Sequence, residues 1–176
     1  MIINDKNLEL EYFDDISENT HKLILDILDD MVKKPFKRKV IIEVWEKQAM
    51  MDYFNIHGLQ VRKANGTVDD IEGIYTISKN KEYRGIAIVN NENLLTTLVH
   101  ELTHALDFDK MSNWVYSLKV NFFKYIRRLD PYEKRAWNNE IEFCIQISGC
   151  RTCMYQDVCE WLEQKDFCMG IGFEEK

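Results

Sequence analysis

The sequence predicts an α+β domain in which a small twisted β-sheet backs one buried helix and a helical part follows. Three features predict it. Runs rich in β-branched residues cluster in the first half of the chain. A helical apolar pattern precedes them, and the second half is almost wholly helical in its periodicity. The first helix is expected over residues 16–32, where Ile16, Leu23, Ile24, Ile27, Leu28, Met31 and Val32 recur at helical spacing. Lys33-Lys34-Pro35 closes it, with positive charge at the C-terminus and a proline just beyond. Residues 40–44 (VIIEV) read as a strand. A short helix over 46–53 and a turn at Asn65-Gly66 are expected next. Residues 71–78 and 83–89 form two further strands, joined by 79–82 in a connection that suits a hairpin. Asn90-Asn91 ends the second of them and leads into a helix containing LVHELTHALD. Helices are then expected over 114–129, with Val115, Leu118, Phe122, Ile126 and Leu129 apolar, and over 131–147 after the Asp130-Pro131 break. Ser148-Gly149 ends the latter, and a short helix fits 158–164.

No repeat, low-complexity tract or Pro/Gly-rich linker divides the 176 residues, so one domain spanning 1–176 is expected, its cysteine-rich segment at 144–168 included. The net charge is −7, from 23 basic and 30 acidic residues. The basic clusters, Lys33-Lys34 with Lys37-Arg38-Lys39 and Arg127-Arg128, read as solvated ends of elements. No basic stripe is present, and direct nucleic-acid binding is not expected. No apolar run is long enough to span a bilayer, and the N-terminus carries acids where a secretory signal would be basic and apolar. No membrane partner is expected, and a cytoplasmic location is.

The chemistry-bearing feature is His100-Glu101-Leu102-Thr103-His104. On a helix, histidines four apart stand one above the other, so both imidazoles can bind one divalent ion. Glu101 projects about 100° further round. There it can act as general base toward a water in the open coordination position. Leu98, Val99, Leu102, Ala105 and Leu106 supply the apolar surface such a helix needs, with no Gly or Pro to interrupt it. Zn2+ is the expected metal, with His100 and His104 as ligands, Glu101 catalytic, and hydrolysis of a peptide bond the leading chemistry.

A catalytic zinc site takes three protein ligands and keeps one open position. Asp107 lies on the same helix as the histidine pair, so it suits orienting a ligand histidine better than closing the tetrahedron. Asp109 fits neither role, and position 110, six beyond His104, is lysine. Glu133 and Glu140 remain, seven apart and nearly eclipsed on one face of the 131–147 helix. Ala136, one turn after Glu133, would let two helices approach closely. Against Glu133, the run Asp130, Pro131, Glu133 also fits N-cap, N1 and N3 of a capping box. Both acids stay open as third ligand, and Glu140 can alternatively accept a hydrogen bond from a ligand histidine.

HELTH preceded by a hairpin and followed by Glu133-x-x-Ala136 resembles the zincin metallopeptidases. It is most similar to small gluzincin-like members of the ImmA/IrrE type. The resemblance covers roughly residues 71–144. It implies a minimal zincin-like fold, an acid three residues before an alanine as third ligand (here Glu133), and a sheet-edge strand that pairs with an extended peptide. Either 71–78 or 83–89 would provide that edge. It further implies a protein or peptide substrate, a regulatory protein being the kind that the ImmA/IrrE type acts on.

In the implied reaction zinc lowers the pKa of water towards about 7 and Glu101 relays its proton to the leaving amine. Tyr132, Tyr125 and His57 are possible oxyanion donors, none preferred. Cys144, Cys150, Cys153, Cys159 and Cys168 all fall in the last third, with C-x-x-C spacing at 150–153. Reduced thiols are the expectation, a second zinc or iron–sulfur site the weaker reading. Two other functions compete with a peptidase: a metal-binding regulatory protein with a latent or lost hydrolase site, and a zinc hydrolase of a non-peptide bond.

Overall fold

The computed structural model describes residues 1–56, 72–77, 83–112, 114–115, 118 and 131–148. Two strands, β1 (Ile2–Ile3) and β2 (Leu8–Phe13), lie ahead of the first helix, where none was expected. Leu8, Leu10 and Tyr12 alternate with Glu9, Glu11 and Phe13, a two-residue period that the glutamates disguise as a polar terminus. Asn7, at φ 53°, turns the chain from a 3-10 turn into β2. Asparagine tolerates that left-handed conformation, and its side-chain amide donates to Phe36 O at 3.0 Å.

Helix α1 (Glu18–Met31) starts where Ser17 Oγ accepts the backbone N–H of Thr20 at 3.0 Å. It buries Ile24, Ile27 and Leu28. Strand β3 (Lys39–Trp45), helix α2 (Lys47–Ile56), strands β4 (Gly73–Ile77) and β5 (Tyr83–Val89), and helices α3 (Leu94–Asp109) and α4 (Pro131–Ser148) follow. The turn at Asn65-Gly66, the 79–82 connection and the short helix at 158–164 lie outside the described residues. So do Cys150, Cys153, Cys159 and Cys168, while Cys144 is described only as a backbone position in α4. Of the helix expected over 114–129, positions 114, 115 and 118 are described, and they are helical.

The five strands run in the order β1-β2-β3-β5-β4. The inner three are parallel, and each edge strand pairs antiparallel with its neighbour. A parallel pair needs a crossover, and α1 supplies the one between β2 and β3. Register aligns Leu10 with Ile42, Ile42 with Ile86, and Ile86 with Tyr75.

One face of the sheet therefore presents Leu8, Leu10, Val40, Ile42, Val44, Ile86 and Ile88 to α1 and α3. Leu94, Leu98, Leu102 and Ala105 meet them from α3. Each such aliphatic side chain, fully removed from water, contributes about 1.5–3 kcal/mol. The opposite face is smaller, with Ala87 and Val89 packed on Met50 and Phe54 of α2. The fold is a mixed sheet with helices on both faces, and α3 lies across the β5–β4 end. β5 sits between β3 and β4, so residues 83–89 cannot be a sheet edge, whereas β4 is the terminal strand on that side among the described residues. No described helix is long and apolar enough to cross a membrane.

Candidate metal centre

Helix α3 is buried along most of its length, and it carries the two histidines of H-E-x-x-H on the side turned to α4. Alternation of Leu98, Leu102 and Ala105 anchors one face on the sheet. That leaves His100, Thr103, His104 and Asp107 for the face that meets the second helix. α4 crosses in the opposite sense. Ala136, fully buried at 0% exposure, is the small residue that lets the two backbones approach.

Five polar contacts join the helices among the described residues. His100 Nδ1 lies 3.0 Å from Glu140 Oε2. Asn139 Nδ2 donates to Thr103 Oγ1 at 3.0 Å. The Glu133 carboxylate lies 3.6 Å from both histidine Nε2 atoms. Arg135 Nη1 donates to Asp107 Oδ1 at 2.5 Å.

The two imidazoles and the Glu133 carboxylate thus converge. His100 Nε2 and His104 Nε2 are 3.2 Å apart. Each is 3.6 Å from an oxygen of Glu133, and the group could hold a metal ion. Ligands at about 2.0–2.1 Å around a tetrahedral ion stand roughly 3.3–3.4 Å from one another. The histidine pair stands near that spacing, and the Glu133 carboxylate turns one oxygen toward each ring slightly outside it. The donor set also fits, since two imidazoles and one carboxylate suit a borderline ion such as zinc.

The electrostatics of the metal-free site are those of a cation pocket. Burial pulls the His100 pKa down, but its contacts with Glu133 and Glu140 outweigh that and hold it up at about 10. Burial pushes Glu133 up, yet its bonds to the two histidines win and keep it well below the usual carboxylate range. Glu101 is different. Burial raises its pKa against the pull of His104 and His100, and a raised carboxylate is a better proton acceptor near neutral pH.

Strand β4 packs directly against this base. A Cβ built at Gly73 would collide with Thr97 Cγ2 and stand 3.1 Å from Glu101 Cγ. A glycine within a strand often marks such a close approach, and that signal was present at position 73.

The other expected site residues are distributed as follows. Asp107 bonds Arg135 in place of a histidine ring. His100 is instead held by Glu140, while His104 Nδ1 is buried with no hydrogen-bond partner among the described residues. Asp109 turns away, both oxygens accepting the backbone N–H of Lys37 at 3.1 Å. Glu133 faces the histidines; Asp130, the other half of the capping alternative, lies outside the described residues, as do His57 and Tyr125. Tyr132 packs on Phe108, with ring centroids 5.2 Å apart. Phe108 in turn stacks on His104 at 5.9 Å. Arg135, Asn139 and Gly73 were not anticipated. The first two look like ordinary surface residues in sequence, and only packing of α4 on α3 gives them partners.

No family model, curated protein or solved structure matches this chain.

Proposed function

We propose that the protein is a zinc-dependent metallopeptidase of the zincin type, in which His100, His104 and Glu133 hold the ion and Glu101 is the catalytic base. The observation that carries this reading is the convergence of the two histidine Nε2 atoms and the Glu133 carboxylate beside a buried glutamate of raised pKa. Zinc supplies Lewis-acid polarisation of a carbonyl and acidifies water. The chain's own residues do the rest. Glu101 takes a proton from the attacking water and returns it to the leaving amine. Glu140 keeps the His100 ring turned so that Nε2 faces the site, and a neutral imidazole then donates from Nδ1.

β4 suits the substrate-pairing role. It is the terminal strand of the sheet at this end among the described residues, and Gly73 brings its backbone against Thr97 and Glu101. An extended peptide added to that strand would run past the base with main-chain hydrogen bonds giving affinity. That geometry supports the reading of a protein or peptide substrate.

Zinc content of the purified protein and cleavage of a peptide library test the proposal together, with His100→Ala and Glu101→Gln as variants. His100→Ala is expected to lose zinc. Glu101→Gln is expected to keep zinc and lose cleavage by two or more orders of magnitude, in the usual range of a general base. Zinc-loaded wild-type protein that cleaves no member of a broad library, or a Glu101→Gln variant as active as wild type, refutes the peptidase reading.

A further inference from the structure

The contacts between α3 and α4 form an antiparallel polar ladder. His100 meets Glu140, Thr103 meets Asn139, and Asp107 meets Arg135. Residue numbers rise along one helix as they fall along the other. Glu133 lies two residues before Arg135, in the first turn of α4.

We propose that the Asp107–Arg135 and Thr103–Asn139 contacts set the axial register of α4 on α3 and so deliver Glu133 to the two histidines, making Arg135, Asp107 and Asn139 positioning residues for the metal. This rests on the zinc-site reading above and deepens it.

Energetics favour register over simple stability as the role of the ion pair. The Asp107 side chain is 5% exposed and that of Arg135 is 55% exposed. A buried carboxylate whose charged partner is more than half exposed gains little net stability, because desolvation offsets the attraction. Asp107 Oδ2 is buried with no hydrogen-bond partner among the described residues, which adds to that cost. Charged and polar groups at a packed interface are best attested as devices that specify register.

The geometric demand is severe. Sliding α4 by one residue shifts Glu133 about 1.5 Å along the axis and about 100° around it. Metal ligands must be held within about 0.5 Å of their productive positions. Ala136, buried at the crossing, is a small, smooth surface that does not by itself oppose such a slide. The rungs oppose it, because a slide would take the buried Asp107 carboxylate from Arg135 and the buried Thr103 hydroxyl from Asn139.

The test is zinc affinity of the full chain, measured by competition with a chromophoric chelator, beside the melting temperature of the metal-free protein. Arg135→Met, Asp107→Asn and Asn139→Ala are each expected to weaken zinc binding about 10–100-fold. Arg135→Lys is expected to recover most of the loss. Asn139→Ala leaves no buried charge behind, so it remains informative should Arg135→Met fold poorly. A drop in metal-free melting temperature with zinc affinity within about twofold of wild type overturns the register role and leaves an ordinary structural ion pair. Wild-type protein that binds no zinc at all overturns the metal reading and this one with it.

Discussion

Replacing Gly73 by alanine should destabilise the protein although alanine is ordinarily the better residue. Removing a glycine's freedom in the unfolded chain stabilises by about 0.4–1 kcal/mol wherever the new side chain fits. Here it does not fit. The added Cβ would overlap Thr97 Cγ2 and lie 3.1 Å from both Glu101 Cγ and Ile88 Cγ2. Overpacking a close-packed contact costs about 1–3 kcal/mol, so the net effect is a loss of up to about 2.6 kcal/mol after the entropic gain. At about 2–4 °C per kcal/mol for a domain of this size, the melting temperature should fall by up to about 10 °C.

Thr97→Ser removes the offending methyl and keeps the hydroxyl, at a cost of about 0.8 kcal/mol by itself. In the double variant the alanine should be tolerated better, giving a coupling of about 0.5–2 kcal/mol in favour of the pair. Urea unfolding of the four proteins with metal removed measures it. A Gly73→Ala variant as stable as wild type or more so, with additive effects across the cycle, would refute the close approach of β4 to α3.

Other expectations follow from the same geometry. Because His100 is held up at about 10 without metal, zinc binding at pH 8 should release about one proton from that ring. Calorimetry in buffers of different ionisation enthalpy reads that number, and zero release would contradict the His100 cluster. In the presence of a chelator the raised His100 pKa contributes stability that is complete below 6.5 and lost as pH rises through about 10. The lowered Glu133 contributes stability present above 4.5 and lost as pH falls. Urea midpoints across pH should therefore peak between those limits and decline toward both ends; a flat profile argues against both charges. Glu140→Ala should weaken zinc binding about 10–100-fold with little effect on the fold, as read by chelator competition. Ala136→Leu should push α4 off α3, costing about 1–3 kcal/mol, and should lose zinc affinity as well. Unchanged affinity in that variant would mean that the close approach of the helices is not what assembles the site.

The boundaries of β5 coincide with the expectation, and α1, β3 and α4 fall within about two residues of theirs, the ordinary uncertainty of element ends. Those segments declare themselves because their apolar spacing and their stop signals agree. β2 was hidden for a local reason. Six residues with two glutamates carry too little hydrophobicity to stand out, although Leu8 and Leu10 are among the most buried side chains of the chain. The histidine pair and Glu101 were visible because helix geometry alone places residues four apart on one face. The roles of Glu133 and Glu140 were not separable in the same way. They lie on one stripe of one helix, and which of them meets which imidazole nitrogen depends on the depth at which α4 crosses α3.

By itself, then, the chain determined its local periodicities, the α+β class and the pairing of two imidazoles with one carboxylate on a single buried helix. All of these are short-range properties that need no distant partner. Tertiary structure decided that residues 83–89 are interior and β4 is the terminal strand beside them. It also decided that Asp107 meets an arginine in place of a histidine, and that an acid 29 residues beyond His104 completes the triangle. Those outcomes depend on strand order and on the register of two helices, and both are set by contacts between residues far apart in sequence, where no spacing rule along the chain applies.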